Sequence, residues 1–344
     1  MPKRLPSLRA APPSVLDLQL AIGLGLSLGL FLLCAIASLS WGAADISPAT
    51  IFDAFLHFDP AVREHLIIRT VRLPRSLVGA AVGAALAVAG GIMQGLTRNP
   101  LASPGILGVN AGASLAVVGA TLWLGALSPS TAVWFAFAGA GLTATVVYAV
   151  ASLGSRSMTP LKLTLAGATL AALLSAIVSG MLVLNQRTLE EIRFWLAGSL
   201  IGRDFQSVWQ GLVYIAVGLA IALTLGKPIT VLNLGEDIAR SLGQATGRVK
   251  GVAVATVALL AGSAVAIAGP IGFVGLVVPN AVRLFIKFDY RWILIYSALF
   301  GSSLLLLADL GARTLVPSGE LPVGTIVALV GAPFFIYLVR WKVE

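Results

Sequence analysis

The sequence predicts an all-α polytopic membrane protein of about ten transmembrane helices, with the N- and C-termini both cytoplasmic. Three observations carry this. The 344 residues are 58% hydrophobic and 11% charged, with a mean hydropathy of +0.96. A soluble domain carries about 25% charge, so core burial does not account for this composition. Hydrophobic stretches of roughly 20 residues, each able to cross ~30 Å of hydrocarbon, recur along the whole chain. The basic residues between those stretches are also unevenly distributed.

In order, residues 1–14 form a short Pro-, Lys- and Arg-rich tail, and 15–344 form a single transmembrane domain. The first span, 15–39, follows a basic start as a signal peptide would, but its apolar stretch is longer than a signal core. Cys34, the sole cysteine, admits no internal disulfide and reads as helix packing. Further spans are predicted at 74–96, 105–127, 131–153, 161–184, 207–226, 249–268, 274–287, 292–310 and 322–341. The eighth is too short for a straight crossing. It follows Gly269-Pro270-Ile271-Gly272-Phe273-Val274-Gly275, a run that reads as a broken helix tolerable only when packed inside protein. Ser103-Pro104-Gly105-Ile106-Leu107-Gly108 is a similar break entering from the opposite side, a weak sign of inverted repetition. Gly79/Gly83, Gly91/Gly95 and Gly108/Gly112 are spaced for close helix packing within one subunit.

With the N-terminus inside, fifteen of the 23 Lys and Arg residues fall on the cytoplasmic side, as the positive-inside rule requires. The external set is Arg63, Arg69, Arg72, Arg75, Arg187, Arg193, Arg203 and Arg313, all arginine. Arginine suits bidentate pairing with carboxylates. For Arg72, Arg75 and Arg313 a partner presenting acidic side chains is the favoured reading. The other five read as interfacial or locally paired, for example with Glu64, Glu190, Glu191 or Asp204. Asp309 and Arg313, spaced i, i+4, also suit each other.

The run from Arg72-Leu73-Pro74-Arg75 through the Gly/Ala-rich helix to Gln94, Arg98-Asn99-Pro100, Pro104-Gly105 and Asn110 resembles the signature of the FecCD family. These are the membrane-spanning permease subunits of ATP-driven importers for ferric siderophores, haem and cobalamin. Phe194-Trp195-Leu196-Ala197-Gly198, the Gly269–Val278 run and Gly331-Ala332-Pro333 fit the same family, so the resemblance covers about 60–342. One departure is Asn280 after Pro279, where many relatives carry histidine. The resemblance implies that Arg72, Arg75 and Arg313 dock acidic knobs of a substrate-binding protein, and that span five lines the path.

Within the cytoplasmic segment 227–248, Glu236 and Asp237 open a short amphipathic helix. Leu234, Ile238 and Leu242 recur every four residues, and Gly243 suits its end. This resembles the coupling helix of ATP-binding-cassette permeases, which implies that Gly235, Glu236, Asp237, Ala239, Arg240 and Gly243 engage an ATPase. The chain has no Gly-x-x-x-x-Gly-Lys-Ser/Thr phosphate loop, so it is not expected to be an enzyme, and a separate subunit would hydrolyse ATP.

Polar residues within spans are functional candidates by default. Gln94, Asn110, Thr164, Thr169, Ser175 and Asn280 are the candidate path residues, with a cytoplasmic constriction near Ser157 to Leu161. His57 and His65 read as solvated, Glu190 and Glu191 as caps of an outer helix, and no cofactor or metal site is expected. Implied partners are two ATPase subunits, a second permease (identical or paralogous), a periplasmic or lipid-tethered binding protein and membrane lipid, with no nucleic acid. The implied location is the bacterial cytoplasmic (inner) membrane. The implied cargo is a ferric siderophore, with haem or cobalamin next. The competing reading is an ion-coupled secondary transporter, which needs charged residues buried mid-span; Asp309 is the nearest candidate.

Overall fold

The computed structural model of the chain describes residues 15–42, 45–153, 159–202, 205–286, 289–316 and 319–342. The tail 1–14, Arg156, Arg203, Asp204, Lys287 and, in the expected constriction, Ser157 and Met158 lie outside them. Among the described residues all regular structure is helical. Seven helices are long and apolar enough to cross a membrane, Val109–Leu124 and Val323–Tyr337 are shorter and apolar, and one further nine-residue helix completes the ten predicted segments.

Helix α1 (Val15–Ser40) leads to a short α2 (Pro48–Leu56). Next comes α3 (Arg63–Leu66), which runs through a π-turn, Ile67–Arg72, into α4 (Leu73–Thr97). This apolar rod therefore begins before the predicted residue 74. A wide π-turn accommodates Pro74, which has no N–H to donate and crowds the carbonyl four residues back. His65, expected to be solvated, is buried. The Asp59 N–H donates to its Nδ1 at 3.2 Å, and its Nε2 lies 3.4 Å from Asp53.

The core is built around α4, buried almost without interruption from Pro74 to Thr97. It packs against α9 (Phe205–Leu234), α11 (Thr246–Ala268), α12 (Val274–Val282) and α13 (Tyr290–Thr314). Close backbone approach explains the glycines. A side chain at Gly83 would run into the Gly301 carbonyl, and one at Gly90 into the Gly275 carbonyl.

The predicted third span starts late, because Pro104–Leu107 form a 3-10 turn before α5 (Val109–Leu124). Helices α6 (Pro129–Ser152) and α7 (Pro160–Leu184) follow, then the outer α8 (Gln186–Leu196). Helices α1 and α7 turn most of their surface outward. Residues 269–273 leave the helical path, with Phe273 at φ 63°. Gly269 and Ile271 are buried and Pro270 and Phe273 half-buried, whereas Gly272 is exposed, so the cover expected of this break is partial within the single chain. Helix α12 then starts beside Gly90, partway along α4. Gly275 also touches Pro104, so the two predicted chain breaks meet. Helix α14 (Val323–Lys342) closes the bundle.

Candidate functional site

Functional features concentrate at the two ends of α4, which at 25 residues is roughly 37 Å long. At its first end, Arg72, Arg75 and Arg313 converge, and each is already engaged. Arg72 is 4% exposed and donates to the carbonyls of Leu39 and Ser40, the latter at 2.7 Å. Arg313 donates through Nη2 to the Ser38 carbonyl at 3.2 Å and its hydroxyl at 3.0 Å. Both guanidiniums therefore sit on the last turn of α1. Unpaired carbonyls and the negative end of the helix dipole favour cations there.

Arg75 grips Asp309 with Nε at 3.0 and 3.1 Å and Nη2 at 2.9 Å, and Asp309 also meets Arg313 at 3.2 Å. The remaining Arg75 nitrogen, Nη1, donates to Glu320 at 2.8 Å. Glu320 lies before α14 and is 38% exposed, the most accessible member of the group. Asp45 also stands close enough to attract Arg72, so the three guanidiniums share three carboxylates here.

At the far end of α4, Gly235 (φ 137°) turns the chain from α9 into α10 (Glu236–Ser241). The segment 227–248 differs from the sequence expectation, because α9 runs through Pro228 to Leu234 and leaves only six residues for α10. Gly243 (φ 79°) ends α10, and the Gln244 N–H reaches back to the Ala239 carbonyl at 2.9 Å, a Schellman closure. Glu236 accepts from Lys250 Nζ at 2.7 Å and from Arg240 Nη2 at 2.7 Å. The Lys250 hydrogen bond, reinforced by Arg240, holds its carboxyl below the usual glutamate range against a smaller opposing effect of burial. Ala239 is buried, whereas Leu234, Ile238 and Leu242 are 62%, 48% and 66% exposed. Asp237 is exposed beside them.

The candidate path residues separate into two groups. Gln94 donates to the Gly275 and Leu276 carbonyls at 3.3 and 3.2 Å, and Asn280 to the Pro100 and Leu276 carbonyls at 2.8 Å each. These two knot α4 and the turn after it to α12. Thr164, Thr169 and Ser175 share α7, where Thr169 and Ser175 are exposed. Thr169 and Lys162 line a groove of about 550 Å³ between α6 and α7. Asn110 is half-buried at the start of α5.

Sequence reasoning missed Ser38, Glu320, Asn233 and Tyr290. The first two carried no signal, since a serine in a span and a glutamate in a turn are ordinary. Among the described residues no group of His, Cys, Asp and Glu is arranged to hold a metal ion.

A multi-pass bundle of this kind, with a cationic cluster at one end and a pinned, apolar knuckle at the other, defines a helical membrane permease. The chain belongs to the FecCD transport family, whose model matches residues 30–341. It is 46% identical over 304 residues to the probable siderophore transport system permease protein YfiZ of Bacillus subtilis, covering 88% of this chain and 91% of the relative. It is 41% identical over 317 residues to the ferric enterobactin transport system permease protein FepD of Escherichia coli, covering 91% and 94%. Among solved structures, a metal-chelate type ABC transporter in an inward-facing conformation superposes with a TM-score of 0.77 at 31% identity, covering 94% of this chain and 99% of that one. The family is one of transport permeases rather than enzymes.

Proposed function

We propose that this chain is the membrane subunit of an ATP-driven importer of ferric siderophores in the bacterial cytoplasmic membrane, with both termini cytoplasmic. The observation that carries the reading is the α10 knuckle. Three large apolar side chains stand exposed on and beside this helix, Ile238 within it and Leu234 and Leu242 flanking it; it is too short to be stable alone, yet ion pairs and a Schellman closure pin it. Such an apolar patch, rimmed by Asp237 and Arg240, suits docking into a groove of another protein. The ATPase is that protein in this proposal, and two ATPases and two permeases make the working unit. Nucleotide-driven closure of the ATPases would displace α10 and change which side of the path is open.

At the opposite end, an acidic side chain of an external binding protein would exchange with Glu320 on Arg75, beside Arg72 and Arg313. Siderophore cargo rests on the named substrates of the relatives, with haem or cobalamin next. Thr164, Thr169, Ser175 and Asn110 are the path candidates that support cargo passage, while Gln94 and Asn280 support the framework around it. The ion-coupled alternative is disfavoured by Asp309. It is the one fully buried carboxylate among the described residues, and two arginines hold it.

The test is co-purification of the tagged permease with its ATPase. Ile238→Asp should abolish co-purification while leaving the permease's own melting temperature unchanged. Vanadate should stop uptake of radio-iron chelates by the reconstituted complex. Accumulation by the permease alone in liposomes would refute the reading.

A further inference from the structure

The last two turns of α9, just before the α10 knuckle, are bonded to α4 and α13, and through Tyr290 of α13 to the end of α12. Asn233 Nδ2 donates to the Gly95 carbonyl of α4 and to its own helix at Ile229, both at 3.0 Å. The ring of Tyr290, the first residue of α13, packs against the same Gly95, where an added Cβ would lie 2.7 Å from it. Tyr290 in turn accepts from Arg283 Nη2 at 2.6 Å, and the Arg283 guanidinium lies over the Tyr290 ring at 5.3 Å. Arg283 is the residue on which α12 ends. A parallel bond runs from Arg98 Nη2, at the left-handed end of α4, to the Leu232 carbonyl at 2.7 Å.

The knuckle is tied to this junction, since Gln244 Nε2 donates to the Pro228 carbonyl at 3.0 Å, closing α10 back onto α9. The receiving element, α12, is built to yield. Residues 269–273 ahead of it are non-helical, and Phe273 sits at φ 63°, a conformation unusual for an aromatic residue. Its grip on α4 is incomplete as well. Gln94 holds two α12 carbonyls through Nε2, but its buried Oε1 has no partner.

We propose that Asn233, Tyr290 and Arg283 form the relay through which displacement of α10 reaches α12, acting as positioning residues of the transport cycle. The relay rests on the proposed function, since it needs an ATPase on α10. Its consequence is that α12 shifts as a body about 269–273, and the Gln94 and Asn280 knots are remade as it does so. Coupling then depends on a hydroxyl and an amide that touch neither cargo nor ATPase.

The test uses the whole importer, with permeases, ATPases and binding protein in proteoliposomes. Radio-iron taken up as a ferric hydroxamate is divided by phosphate released. Tyr290→Phe keeps the ring against Gly95 and removes only the hydroxyl. Asn233→Asp keeps the shape and removes the donor, so a folding failure in one variant leaves the other to report. Each should hydrolyse ATP within about twofold of the parent while the uptake ratio falls about fivefold or more, the lower range of allosteric coupling factors. Thr224→Val removes a hydroxyl on the same helix that donates only to the Ile221 carbonyl of α9 (2.7 Å), lies outside the relay, and should keep the parental ratio. An unchanged ratio in Tyr290→Phe and Asn233→Asp, or an equal fall in Thr224→Val, overturns the relay. A parental complex that neither hydrolyses ATP nor accumulates iron overturns the proposed function, and the relay with it.

Discussion

Arg75 on α4 and Asp309 on α13, 234 residues apart in sequence, meet in a fork of three hydrogen bonds between 2.9 and 3.1 Å. Asp309 is 1% exposed, and Arg313 reaches it from the other side at 3.2 Å. One carboxylate thus holds two guanidiniums at the end of the helix pair that forms the centre of the bundle.

Asp309→Asn should therefore destabilise the protein far more than Glu320→Gln. Removing one partner of a buried pair leaves an uncompensated charge and costs about 3–5 kcal/mol. A pair at the accessible edge contributes roughly 0.2–1 kcal/mol. Thermal melting of the purified permease measures both, and equal losses would contradict the burial argument.

Glu320→Gln should also tighten docking of the binding protein. It removes the accessible carboxylate on Arg75 and makes the cluster more positive by one charge without disturbing Asp309. A gain of about 1 kcal/mol is roughly fivefold in affinity, and it should shrink as salt rises. Surface-immobilised binding protein titrated with permease in nanodiscs reads it; weaker binding would show that Glu320 assists docking instead.

The close approach of α4 and α12 predicts that Gly90→Val fails to assemble, because its side chain would occupy the position of the Gly275 carbonyl. Backbone cannot yield as a flexible side chain does, so the loss should exceed the ~1–3 kcal/mol of ordinary overpacking. Gly25→Val, where a Cβ meets nothing within 4 Å, should leave the yield of folded protein near the parent's.

The α10 knuckle should resist acid. Glu236 is held below the usual glutamate range mainly by Lys250. A carboxyl depressed in the folded state contributes its stability in full above the unfolded value, and loses it as pH falls through the folded one. Hydrogen exchange over 236–244 should stay slow through mildly acidic pH and quicken only below the ordinary glutamate range. Glu236→Gln should speed exchange at neutral pH, with the difference vanishing in acid where the native carboxyl is itself protonated; protection unaltered by that change at neutral pH would remove Glu236 from the account.

The apolar stretches already specify a polytopic helical bundle, because crossing hydrocarbon demands long apolar helices whatever their neighbours. The spacing of Gly83 likewise announces close packing, and Gly243 the end of a short helix. These are local demands of solvent and backbone. The i, i+4 spacing of Asp309 and Arg313 gave their pairing, but the other partners of the arginines were not legible, since a guanidinium in the sequence looks the same whether it awaits another protein or caps the carbonyls of Ser38, Leu39 and Ser40. Nor does spacing reveal that Asn233, Tyr290 and Arg283 meet, or that α9 continues through Pro228. Those outcomes depend on which distant helices pack together, and only the tertiary structure decided them.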